Sequence, residues 1–77
     1  KVSRPVLIID DGKYSEKNLT LTGTTQKFFD DILHERKVKS VRHVFVLTLD
    51  GTGKIYMQCK GEKFCTFRIK LPEGSAW

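Results

Sequence analysis

Seventy-seven residues, 39% of them apolar, make one domain with room for a single core, near the lower limit of independent folding. Fourteen Lys and Arg against nine Asp and Glu leave a net charge of +5, which points toward an acidic partner. The two cysteines, Cys59 and Cys65, lack Cys-x-x-Cys spacing and a histidine at ligand spacing, which argues against a zinc site and for thiols. The longest apolar run, Val44 to Leu49, is too short to span a bilayer.

Pro5 to Asp10 is a continuous apolar run behind a proline and reads as a strand. Asp11 to Lys17 is a polar connector with Gly12 at its turn. Leu19 and Leu21 alternate with Thr20 and Thr22 in the period of a half-buried second strand, which would complete a hairpin. Gly23 breaks the pattern, and Thr24 and Thr25 offer helix caps. Phe28, Phe29, Ile32 and Leu33 then fall on one stripe of a helix from about residue 25 to about residue 36, with Asp30, Asp31 and Glu35 facing water.

His43 to Leu49 is rich in β-branched and aromatic residues and closes on Asp50-Gly51, so it predicts a strand entering a tight turn. A shorter strand follows over 54–60. After Gly61, Phe67, Ile69 and Leu71 alternate with Arg68 and Lys70 as a last strand with one basic face, stopped by Pro72. The order strand, strand, helix, strand, short strand, strand predicts an α+β fold of the β-grasp type, a ubiquitin-like roll. It would have a mixed sheet of four to five strands and one long helix across it; a meander with one packed helix uses the same elements. The expected core is Val6, Ile8, Leu19, Leu21, Phe28, Ile32, Leu33, Phe45, Leu47, Leu49, Phe67 and Ile69.

No residue set has the composition of an active site. His34 and His43 lack catalytic neighbours, Asp30 and Asp31 point about 100° apart on a helix, and Gly51-x-Gly53 lacks the third glycine and the helix of a dinucleotide loop. The expectation is a non-enzyme with neither cofactor nor metal. Charge is segregated: between Arg36 and Lys70 lie nine basic residues and only two acids, Asp50 and Glu62, while Asp10, Asp11, Asp30, Asp31 and Glu35 lie upstream. Such a domain can meet copies or relatives of itself through opposite faces. A second reading is a small nucleic-acid-binding domain, in which Tyr56, Phe64 and Phe67, interleaved with Lys54, Lys60, Lys63 and Arg68, stack single-stranded bases while cations hold phosphates.

Taken in order, Arg4-Pro5 before the first strand, the basic connector with Lys13 and Lys17, the Val44 to Thr52 strand ending in Asp-Gly-Thr, and the closing Gly74-Ser75-Ala76-Trp77 resemble the CIDE-N, or CAD-like, domain. That domain occurs in the apoptotic DNA-fragmentation nuclease, its inhibitor and the cell-death-inducing effectors. The resemblance covers nearly the whole chain. It implies a protein-protein interaction module in which the basic side of one domain docks on the acidic side of another, a CIDE-N-type domain of a second protein or of a second copy. Such contacts need not close on themselves. Arg4, Lys13 and Lys17 match the family's basic side. Asp50 matches its acidic side by motif, and Glu62, Asp30 and Asp31 join it on charge and expected exposure. The chain departs from the family after Asp-Gly-Thr, where Gly53 to Lys60 replaces a dense acidic cluster. The expected setting is intracellular, cytoplasmic or nuclear, without membrane insertion. The start at Lys1 and the end at Trp77 suggest one interaction domain, 1–77, of a larger protein.

Overall fold

The computed structural model describes residues 4–77. It is an α+β structure with the strands β1 (Val6–Asp10), β2 (Lys13–Tyr14), β3 (Val44–Leu49), β4 (Lys54–Cys59) and β5 (Phe64–Arg68). Two helices, α1 (Glu16–Thr22) and α2 (Gln26–Glu35), and a 3-10 turn at Val41–His43 connect β2 to β3. The sheet order is β2-β1-β3-β4-β5 and every pairing is antiparallel. The expected mixed sheet and single long helix are therefore replaced by an antiparallel sheet and two helices. From β3 onward the chain is a meander; the α+β class holds, and a β-grasp with one long helix is not confirmed.

The largest departure is α1. The alternation of Leu19 and Leu21 suggested a strand, but Ser15 caps a helix by accepting from the Asn18 amide at 3.3 Å, and Gly23 ends it in the left-handed conformation with φ 70°. The hairpin partner of β1 is instead the two-residue β2, reached through Asp11 and Gly12, both at positive φ. Where β2 stops, the Asn18 side-chain amide donates to the Leu7 carbonyl at 2.7 Å and the Ser15 N–H to the Ile8 carbonyl at 2.9 Å. These bonds satisfy β1 carbonyls next to the strand's irregularity between Leu7 and Ile9, and they tie α1 to the sheet. The second helix follows the sequence closely: Thr25 caps α2 by accepting from the Phe28 amide, and Arg36 closes it.

Both helices cover the same side of the sheet. Leu19 of α1 and Phe29 and Leu33 of α2 join Ile8, Ile9, Val44, Leu47, Leu49, Ile55 and Met57 in one buried cluster. Two expected core residues are exposed. Leu21 lies on the outer face of α1, and Phe45 is displaced by an irregularity in the β3–β4 register between Val44 and Val46, so that Val44 takes the inward position. Beyond β5 the chain leaves the sheet and crosses the covered side. Ile69, Leu71 and Trp77 pack against the core, and the Trp77 indole N–H donates to the Arg4 carbonyl at 3.2 Å.

That return depends on Gly53. It sits at φ 87°, its carbonyl accepts from the Ile69 N–H at 2.8 Å, and a Cβ there would run into the Ile69 carbonyl. Gly61 also has positive φ, at 76°, but has open space where a Cβ would stand. Gly61→Ala should therefore cost about 1 to 2 kcal/mol for conformation alone. Gly53→Ala should cost at least about 1 kcal/mol more, because backbone must move. Urea unfolding of the two variants checks this, and equal losses would contradict the close approach at Gly53.

Candidate functional site

The strand register divides the sheet into two faces. Leu47 and Leu49 of β3 and Ile55 and Met57 of β4 face the helices, which leaves Val46, Thr48, Lys54, Tyr56, Gln58, Phe64, Thr66 and Arg68 on the outer side. No described helix packs there. Tyr56 on β4 and Phe64 on β5 are diagonal neighbours, and their rings stack with centroids 4.7 Å apart and planes at 17°. They stay 38% and 56% exposed, and Phe45 stays 49% exposed, which is far from the state of core aromatics. Beside Tyr56 lies a depression of about 250 Å³ lined also by Pro5, Thr48, Asp50 and Lys54.

Where this hairpin ends, a second hollow of about 390 Å³ opens. It is lined by Arg36, Lys37, Val38 and Lys39 after α2, Arg42 and His43 of the 3-10 turn, and Cys59, Lys60 and Glu62 at the end of β4. Five full positive charges meet one carboxylate there. The antiparallel return makes this possible: the Lys60 N–H donates to the His43 carbonyl at 2.9 Å, which brings residues seventeen positions apart side by side. Sequence reading counted these five cations among the nine between Arg36 and Lys70 but did not bring them together as a cluster. The signal was present, because a hairpin closed at Asp50-Gly51 carries Lys60 back to the level of His43. Cys59 and Cys65 are free thiols. Burial, then the charge of Glu62 and the neighbouring Cys65, pushes the Cys59 thiol up.

The expected docking charges sit on several elements. Arg4, Lys13 and Lys17 are all exposed, but Arg4 precedes β1 while Lys13 pairs with Asp10 at its far end. Six residues of extended chain separate those levels by roughly 20 Å. The acids are likewise spread and engaged. Asp30 accepts from the Tyr14 hydroxyl at 2.6 Å, a contact that, after burial itself, raises that phenol far above the ordinary tyrosine range. Asp31 pairs with Lys27 at 3.1 Å within α2. Glu62 lines the basic hollow.

Asp50 builds the β3–β4 turn, accepting from the Thr52 amide at 2.9 Å, the Thr52 hydroxyl at 2.7 Å and the Lys54 amide at 3.0 Å. Burial alone would raise its carboxyl, but these bonds and the Arg68 charge outweigh that and hold it below the usual aspartate value. Arg68 completes the turn by donating to the Thr52 hydroxyl at 2.7 Å. Among the described residues no cluster of three or more His, Cys, Asp or Glu could hold a metal ion, and no helix is long and apolar enough to cross a membrane. No family model, curated protein or solved structure matches the chain.

A carboxylate whose folded value is lowered stabilises the fold above its unfolded value, and that contribution is lost as pH falls through the folded value. Asp50→Ala should therefore lower stability by about 1 to 2 kcal/mol at neutral pH through lost turn hydrogen bonds. The gap to the parent should narrow as pH drops below about 4. Urea midpoints followed by circular dichroism from pH 7 to pH 2 check this; a gap unchanged at pH 2 would mean that ionised Asp50 does not hold the turn.

Proposed function

We propose that this domain binds single-stranded nucleic acid on the outer face of its sheet. The observation that carries the reading is the exposed Tyr56–Phe64 stack on an antiparallel sheet with no described helix over that face. Two rings stacked on each other leave one free face at each end of the stack. The Tyr56 end adjoins the depression lined by Pro5, Thr48, Asp50 and Lys54, where a base can extend the stack. Every base has a π-face, so such a platform accepts bases with little regard to sequence. Lys54, exposed at the edge of that depression, supplies a cation for the adjoining phosphate.

The other reading, charged-face docking on a CIDE-N-type partner, draws on the exposure of Arg4, Lys13 and Lys17. It is weaker because those cations are divided among the approach to β1, β2 and the first turn of α1, and because Asp30, Asp31 and Asp50 already have partners within the fold.

Fluorescence anisotropy with labelled oligo-dT separates the two. Tyr56→Ala and Phe64→Ala should each weaken binding by about 5-fold to 150-fold, since one stacked base is worth about 1 to 3 kcal/mol. Affinity should also fall along a log-log line with salt at about 0.7 per neutralised phosphate. Weak binding indifferent to both aromatics would reject the platform. Pull-down of an acidic-faced CIDE-N-type domain, lost on reversing Arg4 and Lys17 to Glu, would favour docking instead.

A further inference from the structure

The basic hollow at the end of the β3–β4 hairpin is not accounted for by the aromatic platform. A stretch as basic as Arg36 to His43 would ordinarily be a solvated loop, with its cations turned to water and away from one another. Here the loop is fixed. Lys37 adopts φ 66°, and its N–H donates to the His34 carbonyl at 3.0 Å, while the Val38 N–H donates to the Leu33 carbonyl at 2.9 Å. The Arg36 amide reaches the Ile32 and Leu33 carbonyls, so backbone already caps the end of α2 and no basic side chain is needed for that.

The cations fall into two groups. Arg36 lies with its guanidinium 3.5 Å from the centre of the Phe67 ring, a cation–π contact that restrains the side chain. Lys60 is held at 3.2 Å by Asp11, and the His43 ring by the Ser40 hydroxyl. Lys37, Lys39 and Arg42 have no ion-pair or hydrogen-bonding side-chain partner among the described residues. Five like charges lie around one hollow with Glu62 in its lining and Asp11 on Lys60 as the nearby carboxylates, so positive charge remains in excess there and favours an anion.

We propose that this hollow is a phosphate-binding site, with Arg36, Lys37, Arg42 and Lys60 as its principal ligands. The chemistry fits two sources, the backbone of a polynucleotide or a free phosphate compound. A polynucleotide backbone is the one that joins this site to the platform and in that form rests on the reading above. Phe64 pairs with Gln58, the residue before Cys59 and Lys60 of the hollow, so both sites lie at the same end of β4, and a strand leaving the Phe64 end of the stack must round that end of the sheet to reach the cations beside α2.

The test uses inorganic pyrophosphate and two lengths of oligo-dT, about four and about twelve nucleotides, with the whole 77-residue chain. Lys37→Gln/Arg42→Gln removes two exposed cations that make no internal bond, so the fold should be unaffected. Lys13→Gln/Lys17→Gln removes the same charge elsewhere. The first pair should weaken pyrophosphate binding by about tenfold and flatten the salt slope for the longer oligonucleotide by about 1.4, at roughly 0.7 per contact, with little effect on the shorter one. The second pair should do neither. Tyr56→Ala should leave pyrophosphate binding intact. If it also leaves both oligonucleotides unaffected while Lys37→Gln/Arg42→Gln abolishes pyrophosphate binding, the phosphate site stands and its ligand is a free phosphate compound, while the platform fails. Equal losses in the two double variants, or no loss in the first, would overturn the site, since net charge rather than this hollow would then attract the anion.

Discussion

The inward faces of β3 and β4, packed as Leu47, Leu49, Ile55 and Met57 against Leu19, Phe29 and Leu33, are the contact on which everything else in the fold depends. A chain of this length has apolar residues for one core, and here that core lies wholly on one side of the sheet. The two short helices and the returning segment 69–77 all cover that side. Five strands with one covered face must present a second face to solvent, and β-period alternation then decides what stands on it. On β4 the alternation gives Lys54, Tyr56 and Gln58 outside for Ile55 and Met57 inside.

The same hairpin carries both candidate surfaces. The Asp50 turn fixes the register that puts Tyr56 beside Phe64 and, at the far end of the hairpin, Lys60 beside His43. Function in this reading comes from that register. An aromatic stack supplies sequence-tolerant contact, and a cationic hollow supplies long-range attraction that weakens with salt. Neither would exist if β4 slipped by one residue, because Tyr56 would then face the helices and Ile55 the solvent.

Much of the framework was legible in the sequence. β1, β3 and the Asp50-Gly51 turn announce themselves through branched residues and a turn pair, and α2 through its apolar stripe and Thr25 cap. The region around α1 was misread because Leu19 and Leu21 alternate as in a strand, although the Ser15 cap and the Gly23 stop were also present and describe a seven-residue helix. Phe45 was misplaced because a one-residue irregularity in pairing leaves no local trace. The sheet order was not legible at all, since the β1–β3 pairing is made between segments more than thirty residues apart. Of the surfaces, the aromatic pair could be named from sequence. How the docking charges are placed could not be read from sequence: Arg4 and Lys13 lie at opposite ends of β1, and Asp50 accepts hydrogen bonds within its own turn.

A nitrogen-15 backbone NMR titration of the chain with oligo-dT tests the central claim most directly, because it locates the contact without disturbing any side chain. The account predicts amide shifts confined to the β3–β4–β5 outer face around Tyr56 and Phe64 and to residues 36–43 and 59–62, with α1 and the first turns of α2 silent. Shifts centred on Arg4, Lys13 and Lys17, or no shifts at all at saturating oligonucleotide, would contradict it.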